Sequence, residues 1–550
     1  MFGLMMDRPL LLSSLLEHAE QQYSDVEIVS RETHGDLFRY TYRDLARRAR
    51  QLANALAALG MASGSRVATL AWNNHRHLEA YFAVSGSGAV LHTCNPRLHA
   101  EQLAYILNHA EDDIVLFDST FLPLVEAVAP MCPGIRAFVL MTDEAHMPAQ
   151  SKLQGLLCYE TLLATQGDAF TWPEFDERTA SSLCFTSGTT GNPKGVLYSH
   201  RSTMLHSFAL TMPDTLSLSV RDCVLPVVPM FHVNAWGIPY AAPMNGCKLV
   251  LPGPRLDGAS LFELMEAEGV TCSAGVPTIW LGLAQFMESQ GLKPSTMRRS
   301  VVGGSAMPQS LIRDFAEKFD VEVRHCWGMT ETSPLGTQGV PLAKHAALDA
   351  EQQYALRSKQ GRAVFGVQLK VVDIDGNALP RDGKSAGELM VRGPWIVSEY
   401  FKGEKPALRD GWFPTGDIAT IDADGTMQIT DRVKDVIKSG GEWISSIDLE
   451  NAAIAHPALA MAAVIGVKHP KWDERPVLCA VKKPGHEIDE AALLEFLGGK
   501  VAKWWLPDQV IFVDSLPMGA TGKIQKMDLR QKYADILCGD AVTSNVSTSP

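Results

Sequence analysis

Apolar residues recur along this chain with two periods, and the alternation between those periods outlines its elements. Over residues 44–60 the apolar positions Leu45, Ala49, Leu52, Ala53, Leu56 and Leu59 fall at helical spacing, and Gly60 supplies a stop. A buried strand is predicted over 66–71, then a helix over 77–84, a strand over 90–93 and a further apolar run over 114–117. The same rhythm returns later. Strands are predicted at 248–251, 270–276, 300–302 and 321–323, with helices at 260–268, 279–287 and 308–319 between them. Alternating strands and helices imply parallel sheets covered by helices.

From Val364 the texture changes to short strands with Asp-Gly turns at Asp375-Gly376 and Asp424-Gly425. A charged break, Asp431-Arg432-Val433-Lys434-Asp435, precedes a compact segment with a helix over 446–456, strands over 462–467 and 477–482, and a helix over 491–504. The predicted class is therefore α/β. A large N-terminal domain (1–432) holds helix-covered, mostly parallel sheets and a small β-barrel-like part, and a small α+β domain spans 433–538. The tail 539–550, rich in Ser, Thr, Asn and Val, is expected to be disordered.

In parallel sheets, ligands sit on the loops after the carboxyl ends of strands. One such loop is rich in donors. Cys184 to Gly195 carries the hydroxyls of Thr186, Ser187, Thr189 and Thr190, the glycines 188, 191 and 195, and Lys194. Glycines let backbone N–H groups approach a ligand, and hydroxyls and a lysine add donors around the same point, which is chemistry for a polyphosphate. It is not the common P-loop, because Lys194 lies between Pro193 and Gly195 instead of in a Gly-Lys-Ser/Thr ending. Gly303-Gly304-Ser305-Ala306 and His325-Cys326-Trp327-Gly328 also follow or end predicted strands.

Composition narrows the reading. The 550 residues are 46% hydrophobic and 20% charged, as in an ordinary globular protein of more than one domain. A net charge of −13 and a pI of about 5.7 exclude a general nucleic-acid binder, so phosphate binding must be local. The ten cysteines form no CxxC pair and read as reduced, buried residues of a cytoplasmic protein. No zinc spacing occurs, and His75-Arg76-His77 reads as a solvated helix face. Neither a signal peptide nor a membrane span is expected.

Five more segments carry candidate chemistry. Phe231-His232-Val233-Asn234-Ala235-Trp236 places an imidazole and an indole after an apolar strand. Thr330 and Glu331 offer a hydroxyl and a carboxylate side by side. Asp417 is an acid placed after a turn, and residues 431–442 hold Arg432, Lys434, Lys438 and the Gly440-Gly441 pair. Gly519-Ala520-Thr521-Gly522-Lys523-Ile524 sets a lysine in a glycine-flanked loop. Singly, each has a plainer explanation. Lys523 would be a solvated charge, Asp417 a turn cap, Glu331 a helix N-terminal charge, His232 a core histidine and Trp236 a core aromatic.

In this order, however, the segments resemble the adenylate-forming superfamily of acyl-CoA synthetases, peptide-synthetase adenylation domains and luciferases. The resemblance runs from about residue 10 to 535. It is finest, in Leu197 to Thr203, Val227 to Trp236 and Lys438 to Ser445, to bacterial medium-chain fatty acyl-CoA synthetases and methylmercaptopropionate-CoA ligases.

The resemblance implies two half-reactions. A carboxylate attacks the α-phosphate of Mg-ATP to give acyl-adenylate and pyrophosphate, and the thiol of CoA then displaces AMP. By position, Thr186, Ser187, Gly188, Thr189, Thr190 and Lys194 match the loop that grips the β- and γ-phosphates. Thr330 matches a phosphate-contacting hydroxyl and Glu331 the Mg²⁺ ligand. Gly304, Ser305, Ala306, His325, Cys326 and Trp327 match the adenine wall, and Asp417 with Arg432 the ribose clamp. Lys523 matches the lysine that bridges substrate carboxylate and α-phosphate, and Lys434 the hinge. Trp236 stands where fatty-acid-activating relatives gate the acyl channel.

The acid pocket is expected around His232, Val233, Trp236, Val276, Gly303 and Leu335. Lys438, Gly440 and Trp443 are assigned to the CoA side, with Lys471, Arg475 and Lys503 as further candidates for CoA phosphates. Medium-chain fatty acids are the first expectation, and short or thioether acids the alternative. No carrier domain follows Lys523, which disfavours a carrier-loading synthetase. A non-catalytic relative could lose Lys523 or Glu331, yet both are present. Luciferase-like oxidation and a homodimer are left open.

Overall fold

A computed structural model describes residues 1, 3–186, 192–439, 442–518 and 524–538, with Glu442 and Trp443 described by their backbone. Ser187, Gly188, Thr189, Thr190, Gly440, Lys523 and the tail 539–550 lie outside the described residues. The chain forms two compact units. The first comprises 1–369, 391–414 and 425–427, and the second 370–390, 415–424 and 428–550. The second unit thus takes in short strands before Arg432, which the sequence reading assigns to the N-terminal domain.

Two sheets make the frame of the first unit. One has seven strands, in the order Leu157–Cys158, Ala137–Leu140, Ile114–Phe117, Arg66–Leu70, Val90–Thr93, Ala180–Phe185, Gly195–Ser199. All neighbours are parallel except the last pair, which is antiparallel. The other sheet has nine strands. Its centre is Glu322–Gly328, Arg299–Val302, Cys272–Gly275, Cys223–Pro226 and Lys248–Leu251, all parallel, with antiparallel strands at both edges. Central strands such as Lys248–Leu251 are buried on both faces, which explains their unbroken apolar runs.

Local signals start and stop the helices. In Tyr42–Ala58, Thr41 and Asp44 form a reciprocal capping box, and Leu45, Ala49, Leu52 and Leu56 make the buried stripe. Gly246, Gly269 and Gly291 end three later helices in the left-handed conformation. Against the nine-stranded sheet, Trp280, Leu283, Ile312 and Phe315 from the covering helices pack on Leu225, Val250, Val302 and Val323.

The helix His75–Gly86 corrects one expectation. His75, Arg76 and His77 are buried, not a solvated face. This helix touches strands of both sheets as well as Tyr42–Ala58, so every one of its residues is enclosed. Its polar side chains meet partners inside. Arg48 donates to Glu79 at 2.7 Å and to both oxygens of Glu160, while Arg76 donates to Glu160 and Glu32 at 2.7 Å each. Burial draws the imidazole pKa of His77 down to about 4 and that of His75 to about 3, so both are neutral near pH 7.

In the second unit, Gln368–Val372, Gly387–Arg392, Phe413–Ile421 and Met427–Arg432 form a four-stranded sheet that begins and ends partly outside the unit. A five-stranded sheet is built on Leu459–His469 paired with Asp473–Lys482. Its side chains alternate between two cores. Val464, Leu478 and Ala480 join Leu449, Leu493 and Leu497 on one face, and Ile465, Val477 and Cys479 join Leu516 and Leu529 on the other. The last predicted helix ends early, at Glu490–Gly498, and a short 3-10 turn, Lys503–Trp505, follows it. Among the described residues no helix is long and apolar enough to cross a membrane.

Replacing Arg48 by Met leaves Glu79 buried without its cationic partner. Loss of one member of a buried ion network costs on the order of 3–5 kcal/mol. Urea unfolding followed by circular dichroism should show a clear fall in the first transition, and a midpoint equal to that of the parent would show that the network adds no net stability.

Candidate functional site

Four parallel neighbours, Cys223–Pro226, Cys272–Gly275, Arg299–Val302 and Glu322–Gly328, send their following loops to one edge of the nine-stranded sheet. Three candidate segments gather there: the turn at 233–237, Gly303 to Ala306, and the Thr330–Thr332 turn. The hydroxyl-rich loop belongs to the other sheet, as the hairpin between Ala180–Phe185 and Gly195–Ser199. Its base is closed by Thr186, whose N–H donates to Lys194 O at 2.9 Å and whose hydroxyl accepts from Lys194 N–H at 3.2 Å.

Thr330 and Glu331 are each only 7% exposed. The Tyr198 hydroxyl donates to Thr330 O at 2.6 Å, and the Tyr400 hydroxyl to Glu331 Oε1 at 2.8 Å. The Lys194 ammonium lies 4.7 Å from the centre of the Tyr400 ring. Burial first, and the Glu331 carboxylate second, push the Tyr400 phenol well above its ordinary pKa, so it stays a donor. Neither tyrosine is in a sequence motif. Their roles depend on contacts between residues 69 or more positions apart, and no local spacing signals those contacts.

Gly304 adopts a φ of 86°, a region that favours glycine. Gly303 is pressed from two sides: a Cβ there would stand 2.6 Å from Cys326 Sγ and 3.4 Å from Trp236 Cη2. His325 stands opposite Val302 in the parallel register. Its Nδ1 is 2.8 Å from Ser358 O and its Nε2 3.4 Å from Ser305 O, and burial lowers its pKa. Burial also raises the Cys326 thiol to about 12, so it is an inert wall. Trp327 packs across Gly336, where a Cβ would meet the indole at 2.3 Å.

The turn carrying Trp236 has no precedent in the sequence reading. Val233, Asn234, Ala235 and Trp236 have φ of 46°, 51°, 46° and 58°, and Gly237 follows at 83°. Four L-residues in succession thus wind left-handed, at a cost of roughly 1–2 kcal/mol each. Asn234 anchors them. Its Nδ2 donates to Ser182 Oγ at 2.9 Å, and its Oδ1 lies 3.4 Å from both the Thr93 hydroxyl and the Cys184 thiol. Gly237 has no alternative, since a Cβ there would stand 2.8 Å from the His206 ring. His232 and Trp236 are half-buried and Val233 is buried.

In the second unit, Asp417 and Arg432 form an ion pair at 2.7 Å. Asp417 is 2% exposed and lies inside the strand Phe413–Ile421, not after a turn. Gly416 does have a positive φ of 73°, but the strand continues through it. Asp431, adjacent to Arg432, accepts from Ser446 N–H at 2.6 Å and Ser446 Oγ at 3.0 Å. Ser446 in turn accepts from Lys526, which also pairs with Glu450. Lys434 is exposed at its surface, and partial desolvation lowers its pKa. Lys438 is paired with Trp443 in the backbone register of Ile437–Ser439 and Glu442–Ile444, and its N–H donates to Glu474. Arg475 is occupied structurally, by Asp508, Ser439 and the carbonyls of Trp504 and Leu506. Lys523 itself is undescribed, but its loop is closed by a bridge between Met518 and Ile524 and by Gln525 N–H on Pro517 O.

Among the described residues no group of three His, Cys, Asp or Glu side chains could hold a metal ion. A lone carboxylate such as Glu331 suits Mg²⁺, which is commonly bound by one or two carboxylates together with substrate phosphates.

Comparison with known proteins places this arrangement. Residues 15–401 match the family of AMP-binding enzymes and 448–523 the AMP-binding enzyme C-terminal domain. The chain is 56% identical to the 3-methylmercaptopropionyl-CoA ligase of Ruegeria pomeroyi, over 98% of this chain and all of the relative. It is 54% identical to the medium-chain-fatty-acid–CoA ligase of Ectopseudomonas oleovorans, over 98% of each. The ATP-bound structure of MatB from Rhodopseudomonas palustris superimposes with a TM-score of 0.80 at 27% identity, over 96% of this chain and 99% of that one. The hairpin loop, the glycine-lined edge and the acidic turn are therefore those of a member of the AMP-binding enzyme family, to which this chain belongs.

Proposed function

We propose that this protein joins a carboxylic acid to CoA at the expense of ATP, through an acyl-adenylate, releasing AMP and pyrophosphate. The observation that carries this reading is the first-unit cluster of Lys194, Thr330, Glu331 and Gly303–Ala306, in a chain 54–56% identical to two acid–CoA ligases along its whole length.

The chemistry must bring two anions together. A carboxylate oxygen of the acid attacks the α-phosphorus, and the bond to the bridging oxygen of pyrophosphate breaks. Thr186, Ser187, Gly188, Thr189, Thr190 and Lys194 hold the departing pyrophosphate with hydroxyl, backbone N–H and ammonium donors. Thr330 adds a hydroxyl. Glu331 would hold Mg²⁺, which supplies charge neutralisation on the phosphates. Gly304, Ser305, Ala306, His325, Cys326 and Trp327 form the adenine wall, and Asp417, kept in place by Arg432, accepts the ribose hydroxyls. Lys523 offers its ammonium to both the acid and the α-phosphate.

In the second half-reaction the thiol sulfur of CoA attacks the acyl carbonyl carbon, the thiol proton is lost, and AMP leaves with the bonding pair. Lys434 is the hinge about which 433–538 turns between the two steps, and Lys438, Gly440 and Trp443 serve the CoA side. The buried thiols, nine of ten cysteines, suit the reducing cytoplasm.

A medium-chain fatty acid is the substrate we favour. His232, Val233, Trp236 and Gly303 line the slot for it, and Cys326 against Gly303 leaves no room for a side chain there. The 56% relative favours a second reading, a thioether acid such as 3-methylmercaptopropionate. Both acids carry an unbranched methylene beside the carboxyl, so the near wall of the pocket treats them alike. One methylene in such a pocket is worth roughly 1–3 kcal/mol, enough to separate chain lengths by rate.

CoA-dependent AMP formation, measured over acids from acetate to palmitate with 3-methylmercaptopropionate included, should peak at medium chain length. A maximum at the thioether acid would establish the second reading, and AMP release indifferent to CoA would remove the ligase assignment. Lys523→Ala should lose pyrophosphate release by about a hundredfold or more yet still turn supplied acyl-adenylate into thioester. Unchanged pyrophosphate release would refute its role. Trp236→Ala should change chain-length preference, read as the ratio of kcat/KM for octanoate to butyrate; an unaltered ratio would leave Trp236 a packing residue.

A further inference from the structure

Tyr400 touches two motifs that the sequence presents as unrelated. Lys194 closes the hairpin loop at the edge of the seven-stranded sheet, and Glu331 follows a strand of the nine-stranded sheet. The Tyr400 hydroxyl donates to Glu331 Oε1 at 2.8 Å, while its ring lies under the Lys194 ammonium at 4.7 Å. The backbone around it is fastened to the same two places. Val397 N–H donates to Glu331 O and Phe401 N–H to Gly195 O, each at 2.8 Å. Further along, the Ser333 hydroxyl donates to Trp395 O at 2.8 Å and Trp395 Nε1 to Leu335 O at 2.9 Å. Lys402 pins the far end, donating to His109 O at 3.0 Å. Residues 395–402 are thus a strap across the ends of two sheets, with the Tyr400 side chain on both motifs.

We propose that Tyr400 is a positioning residue for adenylation, which fixes the Glu331 carboxylate through its hydroxyl and the Lys194 ammonium through its ring. A neutral ring attracts an ammonium without neutralising it, so the full positive charge stays available to a phosphate. A phenol donating to a carboxylate orients it and leaves its negative charge in place. Groups held in advance at their working spacing need no reorganisation when ATP arrives. The proposal rests on the roles given above to Lys194 and Glu331.

Two substitutions separate the two contacts. Tyr400→Phe keeps the ring and removes the hydroxyl, and Tyr400→Leu removes both. ATP–pyrophosphate exchange, with kcat and KM for ATP measured separately, reads adenylation, and thioester formation from supplied acyl-adenylate reads the second step. Tyr400→Phe should lower the exchange kcat by about tenfold with KM for ATP within about twofold. Tyr400→Leu should in addition raise KM for ATP by about tenfold. Both should spare thioester formation. Exchange kinetics in Tyr400→Phe equal to those of the parent would overturn the proposal. So would an equal loss of both half-reactions, which marks a merely structural residue. Glu331→Gln separates the layers. If it lowers exchange while Tyr400→Phe does not, the Tyr400 proposal alone fails; if it leaves exchange unchanged, the assignment of Glu331 fails and the proposal with it.

Discussion

Strand direction is the constraint on which the rest of the first unit depends. Five central strands of the nine-stranded sheet run the same way, so the loops that follow them collect on one edge. The strands satisfy one another's backbone groups, and the loops that follow them bring Gly303, Gly304, Thr330 and Glu331 to that edge. A chain with a net charge of −13 has no general attraction for a nucleotide. It must gather its donors at one place, and parallel pairing is how it does so.

Much of this arrangement was legible in the sequence because it is local. The donor-dense loop, the paired glycines at 303–304 and the alternation of strand and helix each depend on residues close in the chain. What stayed hidden depends on distant partners. His75 and His77 look like a polar helix face by composition, and only the second sheet above them shows that they are enclosed. Asp417 follows Pro414-Thr415-Gly416, which reads as a turn, yet it lies inside the strand Phe413–Ile421. Tyr198 and Tyr400 reach the Thr330–Glu331 turn from 132 and 69 positions away. A tyrosine in an irregular segment gives no period to detect.

The second unit shows the same division. Alternation along Leu459–His469 is readable, and it sends Val464 to one core and Ile465 to the other. The linked set of Asp431, Ser446, Lys526 and Glu450 is not readable, since its members span nearly a hundred positions. It secures the helix Lys526–Lys532, directly after the loop of Lys523, to the backbone beside Arg432. Arg530 repeats the tie one turn later, on Asp435.

The left-handed turn at 233–236 carries a longer consequence. Its winding is unfavourable for each of its side-chain-bearing residues, and it persists because Asn234 and Gly237 are gripped by the surrounding unit. A glycine at Ala235 would relax the backbone, and would equally let the turn wander. Relief of backbone strain and a fixed placement of Trp236 therefore pull in opposite directions at this one point of the chain. A lineage adapting to heat has reason to leave this turn alone and to gain its stability elsewhere in the fold.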